Sequence, residues 1–298
     1  MRLLSKARVG VKKADIWVGT KIFKSKVGFI NNVTSAGKIV QNADPQLSEQ
    51  NPELYHLIKN GFTPFNNSYD KSLILKLQEK FNALMIDDKY SYPYAGYNDK
   101  IYKREMINPA VNFPELSSLI TEDVIKIVEG YYTNGCFTIK HIGCGKNYHV
   151  PEKIRKDHEM FSNFWHFDFN ETSEMKYFVY MSDVTEKDGP FHAQTKSRTQ
   201  ELIKMGFDNR TNYGLPLDVL EDPKHVQKMK GPVGKSFFEY PVVIVHHAGD
   251  PFEGHGRNLV QFQFTLAKEK LLKDLVKNVI PHEIHRYEPT RNKLKKLN

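Results

Sequence analysis

Asn163-Phe164-Trp165-His166-Phe167-Asp168-Phe169-Asn170 alternates polar and aromatic side chains with a period of two. Extended as a strand, the octet sends His166 and Asp168 to one face and Trp165, Phe167 and Phe169 to the other. An imidazole and a carboxylate so placed can bind one metal ion from the same side. They are two-thirds of a 2-His-1-carboxylate facial triad, a donor set that suits non-haem Fe(II) and leaves three coordination positions open. The chain has 12 His among 298 residues, and a His-x-Asp arises about 0.6 times by chance at such a composition. The pair therefore takes its meaning from its surroundings. The aromatics on the opposite face read as packing behind the site.

Downstream, short β-branched and aromatic segments predict strands over 136–142, 164–169, 176–181, 236–239, 242–246 and 258–266. The last has Val260, Phe262 and Phe264 on one parity, and Gln261 and Gln263 with Arg257 on the other. A strand with one apolar and one polar face fits a barrel wet enough inside to hold a polar ligand. Upstream, an apolar run over 54–65 ends in Gly-Phe-Thr-Pro-Phe, and Leu73, Leu77, Phe81 and Leu84/Met85 recur at helical spacing, predicting a helix over 70–86. Leu116, Leu119, Ile120, Val124, Ile127 and Val128 predict a second helix, closed by Gly130. The expected class is α+β with a mainly β core, N-terminal helices being packed on it. Residues 201–232 read as a long insertion between strands, and loops of that length often serve as lids.

The formal charge is +8, which raises the question of nucleic acid. The excess sits at the two ends: residues 1–50 hold nine Lys/Arg against three acids, and residues 268–298 nine against four. The middle is slightly acidic. Three segments follow: a basic extension (1–50), a folded domain (51–267) and a basic tail (268–298). No basic stretch interleaved with aromatics points to nucleic acid. No apolar run approaches the roughly 20 residues that span a bilayer, and charges break up residues 1–20 where a signal core would lie. A cytoplasmic protein is expected. Cys136 and Cys144 cannot build a disulfide framework and read as ordinary thiols.

Beyond the octet, the order runs Met-Lys-Tyr-Phe-Val-Tyr-Met-Ser-Asp-Val-Thr-Glu-Lys-Asp-Gly-Pro-Phe (175–191), Gly-Pro-Val-Gly-Lys-Ser-Phe-Phe-Glu (231–239), Val-Ile-Val-His-His-Ala-Gly (243–249) and Gly-His-Gly-Arg (254–257). In that order and spacing, over about residues 54–266, the chain resembles the phytanoyl-CoA dioxygenase family of Fe(II)- and 2-oxoglutarate-dependent oxygenases. The resemblance implies a double-stranded β-helix, the jelly-roll or cupin-like barrel. It implies a triad of His166, Asp168 and a distal His, with an Arg about ten residues further on to grip the far carboxylate of 2-oxoglutarate. Arg257 fits that grip because its planar fork pairs bidentately with a carboxylate. For the distal ligand, His246 is preferred over His247, since the family's ligand usually follows an apolar residue; His255 lies too close to Arg257.

One departure is visible: the family's Asp-Thr before the distal strand end stands here as Glu239-Tyr240. The carboxylate at 168 argues against the halogenating relatives, which carry a small residue there. The implied reaction is hydroxylation of a small molecule by O2, with 2-oxoglutarate converted to succinate and CO2. Two rivals stay open: a cupin-like metal enzyme that does not use 2-oxoglutarate, and a catalytically silent β-barrel binding protein. Asp183 and Gly189-Pro190 read as turn structure. His141, His149, His158 and His192 read as surface or hydrogen-bonded histidines, and Lys176 and Gln194 carry no assignable role.

Overall fold

A computed structural model describes residues 39–40, 42–67, 69–133, 136–156, 158–168, 173–208 and 214–267. The basic segments of residues 1–38 and 268–298 lie outside the described residues, as does Phe169.

The helices form where caps and apolar spacing coincide. Helix α1 (Pro45–Gln50) and α2 (Pro52–Asn60) each begin at an Asp or Asn that caps the first turn and a proline at the first helical position. Helix α3 (Lys71–Ile86) starts at Asp70, whose carboxylate accepts from the Leu73 N–H, and buries Ile74, Leu77, Phe81 and Met85. That is the expected 70–86 helix. The expected helix over 116–128 is instead two elements: a 3-10 helix (Pro114–Leu119) and α4 (Glu122–Tyr131) capped by Thr121. Ser117 and Ser118 bond back to the carbonyls of Pro114 and Glu115, which favours the tighter turn over a continuous helix. Gly130 lies inside α4 and does not close it.

The strands make two antiparallel sheets. The larger has the order β1 (Phe62–Phe65), β8 (Ser236–Glu239), β5 (Met175–Tyr180), β10 (Gly256–Leu266), β4 (Phe137–Tyr148), β3 (Lys100–Met106) and β2 (Ser91–Tyr97); the smaller has the order β7 (Val226–Met229), β6 (Phe191–Gln194), β9 (His246–Ala248). The architecture is the expected jelly-roll: a mostly antiparallel β core with helices on its outer face. On β10, Val260, Phe262 and Phe264 are fully buried in the main core with α3 and α4. The opposite parity, Arg257, Leu259 and Gln261, lines the cavity between the sheets. The period of two read from the sequence thus sorts core from interior.

Two expected strands contract. The 164–169 stretch contributes a single bridge, His166 to His246, closed by reciprocal backbone bonds of 2.9 and 2.7 Å. The 242–246 strand begins only at His246, because 241–244 form a turn in which the Val243 N–H bonds the Tyr240 carbonyl. Residues 242–245 are buried throughout, and continuous burial gives an apolar run that periodicity cannot assign. The 201–232 insertion is largely structured: α5 (Lys196–Met205) enters it, a one-turn helix (Leu217–Leu220) follows, and β7 completes the small sheet. The hairpin β2–β3 and strands β6 and β7 carried no alternation strong enough to be read.

Candidate metal centre

The lone bridge at His166 is what builds the site. It docks the 163–168 segment against β9, so that His166 and His246 lie side by side with ring centroids 4.3 Å apart. The Asp168 N–H then bonds the Pro241 carbonyl at 3.1 Å, which holds the segment's second polar side chain beside the first. Asp168 Oδ1 stands 3.4 Å from His166 Nε2 and 4.0 Å from His246 Nε2. One donor atom from each residue lies within 4.8 Å of the other two. His166 is 2% and His246 4% exposed, so little of either ring meets solvent.

Hydrogen-bond chemistry fixes which nitrogens face inward. His166 Nδ1 lies 2.7 Å from the Phe164 carbonyl. His246 Nδ1 lies 3.2 Å from the Ile244 carbonyl and 3.0 Å from Glu239 Oε1. A carbonyl or carboxylate can only accept, so each Nδ1 carries the proton and each Nε2 turns a lone pair toward Asp168. Two lone pairs and a carboxylate oxygen facing one another repel unless a cation stands between them. The donor set therefore fits a metal ion on its own chemistry.

The other carboxylate oxygen is engaged from behind: Asp168 Oδ2 accepts from the Lys176 ammonium, which also lies 3.9 Å from Glu174. Burial opposes ionisation of Asp168, but the Lys176 ammonium at Oδ2 counters it, and the carboxyl stays well below its usual range. Burial likewise opposes the charge on Lys176, and Asp168, Glu239 and Glu174 push its pKa above the ordinary lysine value. Asp168 is thus an anion that offers one oxygen to the cluster.

Arg257 comes from the start of β10 and is 2% exposed. It shares a cavity of about 150 Å³ with His166, Asp168, Lys176 and His246. Its NH1 donates to the Gly189 carbonyl, its Nε has no hydrogen-bond partner, and among the described residues the Asp250 carboxylate acts on it at longer range without forming an ion pair. Gly189 adopts φ +66°, and a Cβ there would collide with the Gly249 carbonyl oxygen, so glycine is needed for this close approach. The Gly189-Pro190 turn read from the sequence therefore also braces the arginine. A buried guanidinium that forms no ion pair is a ready receptor for an anion.

His247 goes elsewhere. Successive side chains on a strand point to opposite faces, and while His246 turns to Asp168, His247 packs on Trp165 at 4.2 Å between centroids. Its Nε2 lies 2.8 Å from His192 Nδ1 and 3.5 Å from Glu221 Oε1. Trp165 and Phe167 sit with Leu202, Phe207 and Leu220 in a separate apolar cluster, which is the packing expected behind the octet. His255 bonds Asp188 at the surface, His149 bonds the Pro251 carbonyl, His158 stacks on Tyr97, and Asp183 accepts the Val233 N–H. Nothing in the local spacing of Lys176 or Glu239 gives either residue a role. Register marks them, since they are direct partners across β5 and β8. His192 was read as an isolated histidine; its neighbours are 29 and 55 positions away, at Glu221 and His247.

Burial first, then the neighbouring His247, lowers the His192 pKa from 6.5 to about 2. The unfolded chain takes up a proton near pH 6.5 that the folded one refuses, so this contribution to stability is complete above that pH and is lost as pH falls. In the metal-free protein the expected slope reaches about 1.4 kcal/mol per pH unit below roughly pH 6. Urea melts at pH 7.5 and 5.5 check this: His192→Gln should lose less stability than wild type between the two.

No family model matches the chain, and no curated protein does. Solved structures match in fold. The non-heme alpha ketoglutarate dependent epimerase SnoN from nogalamycin biosynthesis aligns with a TM-score of 0.52 and 12% identity, over 80% of this chain and 94% of its own. EctD from S. alaskensis with bound Fe gives 0.54 and 12%, over 77% and 81%. HygX from Streptomyces hygroscopicus with nickel, 2-oxoglutarate and hygromycin B bound gives 0.51 and 12%, over 78% and 97%. At this identity the likeness is one of fold: the chain has the barrel on which these enzymes are built. The narrower phytanoyl-CoA dioxygenase resemblance finds no family-model match. Among the described residues no helix is long and apolar enough to cross a membrane.

Proposed function

We propose that the protein is an Fe(II)- and 2-oxoglutarate-dependent oxygenase acting on a small molecule, with His166, Asp168 and His246 as metal ligands and Arg257 as the anchor for the cosubstrate. The observation that carries this reading is the convergence, in one cavity, of three inward-facing donors with a buried guanidinium that forms no ion pair among the described residues and leaves its Nε unbonded. His246 is the distal ligand rather than His247, because its Nε2 faces Asp168. An iron held there, with 2-oxoglutarate and O2, would supply the oxidation of a C–H bond with release of succinate and CO2.

The chain's own residues do the rest. Lys176 occupies Asp168 Oδ2, which leaves Oδ1 as a single-oxygen ligand and keeps further coordination positions open. The Ile244 carbonyl fixes the tautomer of His246, and Glu239 sets a carboxylate oxygen 3.0 Å from the same Nδ1, where its charge favours the proton there and the lone pair on Nε2. The departure from the family pattern at 239 thus places a carboxylate where it supports a ligand. Arg257 salt-bridges the far end of the dicarboxylate, and the buried walls exclude water. Hydroxylation is the reaction proposed; the fold neighbours include an epimerase and a carbocyclase, so the product class is read from the substrate once it is found.

The deciding experiment is anaerobic addition of Fe(II) and 2-oxoglutarate, followed by a succinate-release assay across pools of small molecules with ascorbate. A weak visible absorption from the Fe(II)–2-oxoglutarate chelate and substrate-dependent succinate are expected. Absence of the band favours the silent binding barrel. Glu239→Gln should lower Fe(II) affinity by about 10- to 100-fold while the far-UV spectrum stays unchanged, as a metal titration reads directly.

A further inference from the structure

His246 and His247 are neighbours on β9 and serve opposite faces, so one three-residue strand carries a donor into each of two separate clusters. We propose that the second cluster, His192, Glu221 and His247, is a metal site in its own right, suited to Zn²⁺ or a similar divalent ion that takes mixed nitrogen and oxygen donors. It is independent of the reading given to the Asp168 centre.

The donor distances carry the proposal. A tetrahedral ion with bonds of about 2.0–2.1 Å sets its ligand atoms roughly 3.3 Å apart. Here His247 Nε2 and His192 Nδ1 are 2.8 Å apart, His247 Nε2 and Glu221 Oε1 3.5 Å, and His192 Nδ1 and Glu221 Oε2 3.7 Å. The first separation is a hydrogen bond whose proton an ion would displace, the other two use different Glu221 oxygens, and one donor atom from each residue lies within 4.8 Å of the other two. Outer contacts orient two of the three ligands in the way bound ligands are oriented. His247 Nδ1 lies 3.1 Å from the Ala248 carbonyl, an acceptor only, which puts the proton on Nδ1 and the lone pair on Nε2. The Trp165 indole N–H donates to Glu221 Oε1 at 2.8 Å.

The setting differs from that of the first cluster. His192 and His247 are buried, while the Glu221 side chain is 42% exposed. An ion enters from solvent past Glu221 and keeps a fourth position for water. His192 comes from β6 and His247 from β9, whereas Glu221 ends the one-turn helix between α5 and β7. The ion therefore ties this crossing segment to the small sheet, on the side of the sheet away from the Asp168 cavity.

Metal-free full-length protein loaded with Zn²⁺ alone, dialysed and analysed for metal content tests the site. Wild type is expected to retain two equivalents, the His166→Ala/Asp168→Ala double variant one, and that variant carrying Glu221→Ala none. Glu221→Ala and His192→Gln in the wild-type background should each lose one equivalent with an unchanged far-UV spectrum, and Trp165→Phe should weaken the second equivalent by about tenfold. A single equivalent that disappears with His166→Ala/Asp168→Ala overturns the proposal. So does a second equivalent indifferent to Glu221→Ala and His192→Gln. A single equivalent sensitive to Glu221→Ala alone upholds this site and removes the metal from the Asp168 centre instead.

Discussion

Asp168→Ala is expected to reduce succinate release to background and to weaken Fe(II) binding by more than about 100-fold, beyond what loss of an outer contact to a ligand costs. The substitution removes the carboxylate oxygen that faces the Nε2 atoms of His166 and His246. It also leaves the Lys176 ammonium, 8% exposed as a residue, without its closest counter-ion. Stranding a buried charge costs about 3–5 kcal/mol, so the single variant should be destabilised as well as inactive. The double variant Asp168→Ala/Lys176→Met separates the two effects: it should recover most of the stability in a denaturant melt and none of the turnover. An Asp168→Ala protein that still consumes 2-oxoglutarate at the wild-type rate would remove the carboxylate from the mechanism.

Arg257→Ala is expected to raise the KM for 2-oxoglutarate by about 30-fold or more, since truncating one partner of a buried charge pair costs about 2 kcal/mol at the least. Fe(II) affinity should stay within a factor of about two, because the guanidinium is not among the clustered donors. Arg257→Lys should recover little, for an ammonium lacks the planar fork that engages both carboxylate oxygens. Steady-state kinetics in 2-oxoglutarate with a parallel metal titration reads both numbers. An unchanged KM for 2-oxoglutarate would remove Arg257 from the cosubstrate's site, whereas activity that needs no 2-oxoglutarate and survives Arg257→Ala would assign the barrel to the cupin-like enzymes that work without it.

The two substitutions bear on residues whose roles were legible to different degrees. His166 and Asp168 could be paired from the octet because residues i and i+2 share a face whenever the backbone is extended, even over a stretch with only one ladder bridge. The polar parity of β10 was legible for the same reason, and it placed Arg257 and Gln261 toward the interior. His246 and His247 could not be separated by periodicity, because either could face inward and the preceding 242–245 run is buried on all sides. The resemblance favoured His246; the bridge to His166 and the Nδ1 contact with the Ile244 carbonyl put its Nε2 toward Asp168.

Short-range backbone geometry, then, was enough for the sequence by itself to determine the β-rich class, the 70–86 helix, the inward pairing of His166 with Asp168 and the split faces of the last strand. Each of these depends on residues within a few positions of one another. Tertiary structure alone decided which histidine joins Asp168, that Lys176 and Glu239 stand behind the cluster, and that His192 meets Glu221 and His247. The histidine contacts are set by crossings of 29 to 80 positions, from His192–Glu221 to His166–His246, and those of Lys176 and Glu239 by the register that pairs β5 with β8. A chain read locally carries no measure of which distant segments will be brought to the same wall of the barrel.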